Sequence, residues 1–78
     1  MKPNIIVDAR GLFCPVPIMK TSEAIGAVDS GRIVEIIADD PAIELDMQAW
    51  CHSQGHTIES AERNGDVFHF RVRKTGTK

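Results

Sequence analysis

Two prolines, at positions 15 and 17, constrain the fold of this chain more than any other feature of its sequence. They follow Ile5-Ile6-Val7, a run of β-branched residues that predicts a strand buried on both faces or nearly so. Because proline costs no hydrogen bond in the first turn of a helix, Pro15 and Pro17 predict a helix with Pro15 at its first position. Cys14 would then be the N-cap residue or lie very near it, and Gly31 would end the helix.

The same succession of strand and helix is repeated further along the chain. Ile33–Ala38 predicts a second strand, and Glu35 interrupts it, which indicates that one end lies near an edge or a rim. Asp40 is then a candidate N-cap, Pro41 takes the first helical position, and Gly55 is placed to end the helix. Because a helical crossover joins the two strands, we expect them to be parallel.

The last part of the chain has the pattern of a β-hairpin. Asn64-Gly65 is a strong turn signal between residues 57–63 and Val67–Arg73. The second of these strands alternates between apolar and polar residues, so one face should be packed and the other should be wet. On the packed face we place Phe68 and Phe70 with Val72. The open face would carry His69, Arg71 and Arg73.

Together these elements predict an α+β fold, a two-layer βαβαββ sandwich in which two helices cover one face of a mixed four-stranded sheet. The length of 78 residues leaves room for one domain, residues 1–78. Its end, residues 71–78, holds four bases and no acid, which is typical of a frayed tail and less often of a docking patch for an acidic partner or for RNA. The apolar fraction of 42% disfavours a disordered chain.

Charge and composition narrow the function classes. A net charge of −2 disfavours a basic nucleic-acid-binding protein, and the apolar runs are too short to span a membrane. The first apolar run ends at Asp8, too early for the core of a signal peptide, so we expect a cytoplasmic protein. The two cysteines would be kept reduced there, and two are too few for a disulfide framework.

Cys14 is the first candidate for chemistry, because a helix N-terminus places a partial positive charge beside its thiol. That charge stabilises the nucleophilic thiolate and should lower the pKa of Cys14 by up to about one unit. Arg10, across the turn marked by Gly11, would add to the effect. Phe13 either packs under the sheet edge or belongs to an apolar collar around the sulfur. The alternative is that Cys14 is a small buried hydrophobe, as free cysteines usually are.

The second cysteine and the nearby histidines have a plainer interpretation. Cys51 follows Trp50 on the second helix, where we expect a structural role. Cys51, His52 and His56 are of zinc-binding types, but Gly55 should break the helix between the histidines and nothing completes a ligand set. We therefore expect neither a metal nor another cofactor.

The residues around Cys14 also resemble a known signature. The run Asp8-Ala9-Arg10-Gly11-Leu12-Phe13-Cys14-Pro15-Val16-Pro17 places Cys-Pro-x-Pro after a short first strand, with Asp-x-Arg-Gly-Leu as its lead-in. Further matches are Ala38-Asp39-Asp40-Pro41-Ala42 at the second helix start, and Cys51 with His56 near the end of that helix. In these motifs, in element order and in length, the chain is similar to the TusA/SirA-like sulfur-carrier proteins.

The resemblance implies a sulfurtransferase-like carrier that takes sulfane sulfur as a persulfide on Cys14. Arg10, Gly11, Pro15 and Pro17 would support the motif. A cysteine desulfurase or rhodanese-like protein would donate the sulfur. A DsrE-like or other cysteine protein would accept it, in a relay such as tRNA 2-thiolation or sulfur oxidation.

Two further hypotheses stay open. One is a non-catalytic regulatory or interaction module that binds a protein or RNA through the open sheet face. That face lacks the interleaved aromatic side chains of an RNA-stacking sheet, so direct nucleic-acid binding is disfavoured and a docking surface for sulfur donors or acceptors is favoured. The other hypothesis is a thiol redox protein that pairs Cys14 with Cys51.

Overall fold

Strands and helices follow one another in the predicted order βαβαββ. The computed structural model describes residues 5–75. Its elements are β1 (Ile5–Ala9), α1 (Val16–Gly26), β2 (Ile33–Ala38), α2 (Ile43–Gln54), β3 (Thr57–Asn64) and β4 (Val67–Arg73). Within the described residues the four strands form one mixed sheet, against which both helices pack, and this confirms the predicted α+β class.

The sheet has the strand order β1-β2-β4-β3. β1 and β2 are parallel, as predicted, in a register that ends with Ala9 opposite Ala38. β4 is antiparallel to both of its neighbours, β2 and β3. Since β1 and β2 run in the same direction, the loops that follow them lie side by side at one end of the sheet, and this is where the candidate site is built.

Two expectations about strand position are wrong. β1 is an edge strand covered on one face only, so Ile6 is 60% exposed and the strand is not buried on both faces. Glu35 does not mark an edge, because β2 is a central strand and Glu35 lies opposite Arg71 in β4. Its carboxylate accepts a hydrogen bond from Arg71 Nε at 3.1 Å, so a charge-paired acid is tolerated on the open face of a central strand.

The core lies between the helices and the two central strands. Each helix buries one stripe at i, i+4 spacing, the stripe of helix geometry that faces a sheet. In α1 the buried residues are Pro17, Thr21 and Ile25. In α2 they are Ile43, Met47 and Cys51. From the sheet, the buried apolar residues are Ala9, Ile33, Val34, Ile36, Ala38, Phe68, Phe70 and Val72.

The helix ends differ from the sequence-based bounds by a few residues. α1 begins at Val16, with Pro15 in the N-cap position, and it ends at Gly26. Gly31 therefore does not stop it; with φ +88° it forms the turn before β2 instead. α2 begins two residues after Pro41, because Asp40 and Pro41 form a turn that precedes the helix. Gly55 ends α2 in the left-handed conformation, φ 77°, as predicted.

The hairpin forms as predicted, with its turn displaced by one residue. Asn64 still pairs with Val67, so the two-residue loop is Gly65-Asp66 rather than Asn64-Gly65. Gly65 has φ +62° and Asp66 has no positive φ, which fits a type II′ turn, where glycine takes the first central position.

The open face of β4 is less basic than the sequence suggests. Arg71 and His69 both approach Glu35, at 3.1 and 3.9 Å, and Arg73 Nε lies 2.8 Å from Glu59. Each of these three basic side chains therefore lies close to a carboxylate. Residues 71–73, placed above in a frayed tail, belong to β4, while residues 76–78 lie outside the described part of the chain.

Across residues 5–75, neither helix has the length and hydrophobicity needed to cross a bilayer.

Candidate functional site

The Cys14 loop, residues 10–15, connects β1 to α1. It turns at Gly11, whose φ of +80° would strain any other residue. A second turn follows, in which the Val16 N–H donates to the Phe13 carbonyl oxygen at 2.8 Å. Between these turns lies Cys14, an exposed free thiol joined to Pro15 by a cis peptide bond. The loop thus presents a sulfur atom that another protein can reach.

Two consecutive carboxylates fasten this loop to the start of α2. Asp39 Oδ1 accepts a hydrogen bond from the Gly11 N–H at 2.9 Å. Asp40 Oδ2 accepts one from the Cys14 N–H at 2.8 Å, and its Oδ1 accepts one from the Ala42 N–H at 3.1 Å. The prediction that Asp40 is the N-cap of α2 is wrong, because Ala42 holds that position and no side chain caps the helix. The larger role of the pair is to hold the backbone of the Cys14 loop.

Cys14 does not occupy the N-cap of α1. It precedes Pro15, which holds that position, and α1 has no side-chain cap. Pro15 and Pro17 also remove two of the N–H groups that would otherwise point out of the helix end. The helix dipole therefore has less influence on the thiol than the sequence suggested.

Nearby acids decide the ionisation of the thiol. A hydrogen bond to the Asp46 carboxylate raises the pKa of Cys14 above its ordinary value, and so do desolvation and the negative charges of Asp46 and Asp40. The expectation of a lowered pKa is therefore wrong. Asp46 lies in the first turn of α2, and its Oδ2 is buried and accepts no hydrogen bond from the described residues.

Known proteins resemble this chain in sequence and in fold. A family model described as Sulfurtransferase TusA matches residues 5–74. The chain belongs to this family. The putative sulfur carrier protein YrkI of Bacillus subtilis is 38% identical over 74 residues, which are 95% of this chain and 99% of the relative. The sulfur carrier protein TusA of Allochromatium vinosum is 33% identical over 69 residues, 88% of this chain and 91% of the relative.

A solved structure agrees with this membership at the level of the fold. The crystal structure of the SirA-like protein from Desulfitobacterium hafniense superposes with a TM-score of 0.79. It is 22% identical and covers 91% of this chain and 97% of its own. At this level of identity the comparison supports the fold alone, and that fold is the one predicted from the sequence.

Of the supporting residues in the TusA motif, Arg10 has a different role from the one expected. Its Nε and one terminal nitrogen lie 2.9 and 2.8 Å from the two carboxylate oxygens of Asp8. This pairing holds the pKa of Asp8 down at about 2. Arg10 is thus engaged with Asp8 and does not favour the thiolate of Cys14.

The prolines and Phe13 have distinct places in the loop. Pro17 is a buried residue of α1, whereas Pro15 is exposed beside Cys14. Phe13 is 74% exposed, so it does not pack under the sheet edge. Val16 also has an exposed side chain, so the thiol has apolar side chains on both sides along the chain. The apolar collar around the sulfur stays a prediction.

Cys51 has the surroundings of a structural residue. It is only 2% exposed, and burial raises its pKa to about 11. Cys14 and Cys51 are both free thiols, one exposed and one buried. Nearby, His56 is buried with its ring 5.4 Å from that of Trp50. In the described part of the chain, no group of three or more His, Cys, Asp or Glu residues could hold a metal ion.

Asp39, Asp40 and Asp46 are the site residues whose roles the sequence analysis missed. A signal existed for the first two, because they follow β2 directly and the ends of parallel neighbouring strands meet at one edge of a sheet. Asp46 lies further along, within the first turn of α2, and no spacing rule relates it to a cysteine more than thirty positions away.

Proposed function

We propose that this chain is a sulfur carrier that accepts sulfane sulfur as a persulfide on Cys14 and passes it to a cysteine of another protein. The observation that carries the proposal is the exposed free thiol of Cys14, in a loop whose backbone two carboxylates hold. Membership of the TusA family and the sulfur-carrier names of its relatives support it. Persulfide chemistry needs an accessible thiol, and Cys51 is buried.

Loading is a thiolate attack on sulfur. The Cys14 thiolate attacks the outer sulfur of a persulfide on the donor protein, and a new S–S bond forms. The donor's own S–S bond breaks, and its cysteine leaves as a thiolate. Delivery repeats the step in the other direction, because an acceptor thiolate attacks the outer sulfur on Cys14 and releases the Cys14 thiolate. Neither step changes the total number of electrons or requires a metal.

The raised pKa of Cys14 shapes this chemistry without preventing it. At neutral pH only a small share of the thiol is ionised, which slows attack by the free carrier. The thiolate that does form is more nucleophilic, because nucleophilicity rises with pKa. Such a balance suits a carrier that reacts when a partner is bound and resists adventitious oxidation otherwise.

The proposed partners are those of a relay. A cysteine desulfurase or a rhodanese-like protein would donate the sulfur, and a DsrE-like or other cysteine protein would accept it for tRNA 2-thiolation or sulfur oxidation. We place the relay in the cytoplasm, where thiols stay reduced, and we treat residues 1–78 as one carrier domain.

Mass spectrometry of the intact chain tests the proposal. After incubation with a cysteine desulfurase and cysteine, the wild type should gain the mass of sulfur and lose it again on treatment with dithiothreitol. Cys14→Ser should gain none, whereas the matched control Cys51→Ala should load like the wild type. A Cys14→Ser protein that still acquires thiol-labile sulfur would show that Cys14 is not the carrier.

A further inference from the structure

The two edges of the sheet differ in how they are protected. β3, at one edge, carries the charged residues Glu59 and Glu62 and has a shift in register after Ile58. Charged side chains and bulges of this kind keep an edge strand from pairing with another chain. β1, at the other edge, is Ile-Ile-Val-Asp-Ala, and its register against β2 runs without a shift. Within the described chain, no strand lies beyond β1.

β1 presents apolar side chains on both of its faces. Ile6 is 60% exposed on the open face of the sheet. On the other face, Ile5 and Val7 are half-buried and line an open groove of about 320 Å³ between β1 and α1. The one charged residue of the strand, Asp8, is paired with Arg10. The β1 edge therefore offers apolar surface to an incoming strand and lacks the charges that protect β3.

The α1 side of this groove indicates which strand would fit. Lys20 and Glu23 line it, and neither forms an ion pair with another of the residues 5–75. Beside them lie Ala24 and Ala27, whose small side chains allow another helix to come close. A two-fold axis beside the groove brings Lys20 of each copy to Glu23 of the other, because an isologous interface is self-complementary. The charges of the groove thus complement those of a second copy of this chain.

We propose that two copies of this chain pair their β1 strands antiparallel, around a two-fold axis at Ile6, to form one continuous sheet. In this register Ile6 meets Ile6 of the second copy on the open face, and Ile5 lies opposite Val7 of the second copy, so the two grooves join. The neighbouring register, centred on Val7, would instead put Ile6 opposite Asp8. Because the paired strands run in opposite directions, the two Cys14 loops lie at opposite ends of the joined sheet and both thiols stay accessible.

Sedimentation equilibrium measures the association, in a reducing buffer that prevents disulfides between exposed Cys14 thiols. The paired segment is short, so we expect a weak dimer that forms between micromolar and millimolar concentrations. Lys20→Glu and Glu23→Lys each turn two attractive contacts into repulsive ones, and each should raise the Kd about tenfold. Combining both substitutions exchanges the charges and should restore the dimer. The matched control is Glu44→Lys, which makes the same change of charge on α2 and should dimerise like the wild type.

Cysteine cross-linking tests the register. In a Cys14→Ser background, Ile6→Cys places two thiols opposite each other across the axis, where Cα atoms of antiparallel partners lie about 4.5–5.5 Å apart, within the range of a disulfide. Diamide takes two electrons and two protons from these thiols, and they should join the chains covalently. The matched control is Asp8→Cys, which is also exposed but lies about 13 Å along the strands from its counterpart and should not cross-link.

A wild type that stays a single chain at millimolar concentration would overturn the proposal, and this is the result expected if the β1 edge takes a strand of a different protein. So would a combined charge exchange that dimerises no better than the single variants. Ile6→Lys should abolish the dimer, whereas Leu45→Lys, which replaces an exposed apolar side chain on α2, should not. Equal loss in both variants would also contradict the pairing of β1. None of these results depends on sulfur uptake.

Discussion

Asp40→Ala should loosen the Cys14 loop and the start of α2 at the same time. The side chain accepts hydrogen bonds from the N–H groups of Cys14, at 2.8 Å, and Ala42, at 3.1 Å. Hydrogen bonds to charged groups contribute about 1.5–3 kcal/mol, and we take about 1 kcal/mol for each here because both lie at the surface. Their loss should lower the free energy of unfolding by about 2 kcal/mol and the Tm by about 8–16 °C.

Asp39→Ala is the matched control, since it removes a neighbouring carboxylate that accepts one hydrogen bond, from Gly11. It should cost about 1 kcal/mol and about 4–8 °C in Tm. The two variants should also differ at the thiol, because Asp40 raises the pKa of Cys14 and Asp39 is not among its causes. Asp40→Ala should therefore shift the pH profile of alkylation to lower pH, and Asp39→Ala should leave it in place.

Thermal unfolding followed by circular dichroism measures the first difference, and iodoacetamide alkylation against pH measures the second. The reasoning is refuted if Asp40→Ala melts with the wild type, or if Asp39→Ala is as destabilising and shifts the alkylation profile equally.

Three other predictions concern Cys51, the pair of Asp8 and Arg10, and Glu35. Burial raises the pKa of Cys51 from 9.0 to about 11, so its contribution to stability is full below pH 9.0 and is lost as pH rises towards 11. That loss amounts to at most about 3 kcal/mol, and urea titrations of Cys51→Ala should show a flatter pH dependence in this window. Pairing with Arg10 holds the pKa of Asp8 at about 2, so the stabilisation from this pair is present above the ordinary carboxyl pKa and is lost as pH falls through about 2. Arg10→Gln should move the NMR titration midpoint of Asp8 upwards, and an unchanged midpoint would contradict the pairing. Glu35→Gln removes the negative charge that pairs with Arg71 on the open sheet face and should cost about 0.5–1 kcal/mol in thermal unfolding, with sulfur uptake unchanged.

The order of elements could be predicted because its signals are local. Prolines at the start of α1, alternation along β4 and a glycine at the end of α2 each act within a few residues. The predictions that were wrong concerned features that depend on residues distant in sequence and close in space. β1 is an apolar run, yet it lies at an edge, because strand order is decided by pairing across the whole chain. Glu35 is tolerated in a central strand because Arg71 pairs with it across the sheet.

The candidate site shows the same division between local and long-range information. The position of Cys14 between a strand and a helix could be predicted, and so could its candidacy as the reactive thiol. The sign of its pKa shift could not, because it depends on Asp40 and Asp46, which approach from the other half of the fold. The effect of a helix dipole on a pKa is small compared with the effect of one hydrogen-bonded carboxylate. Parallel pairing of β1 and β2 is the step that brings these groups together.

The most direct measurement of the central claim is a single-turnover transfer with radiolabelled sulfane sulfur. The carrier is loaded, freed of donor and mixed with excess thiol acceptor, and the label on Cys14 is followed by peptide mapping. The account predicts that the label sits on Cys14, leaves with the acceptor and leaves the thiol ready to be loaded again. Label that resides elsewhere, or that no thiol can remove from Cys14, would contradict it.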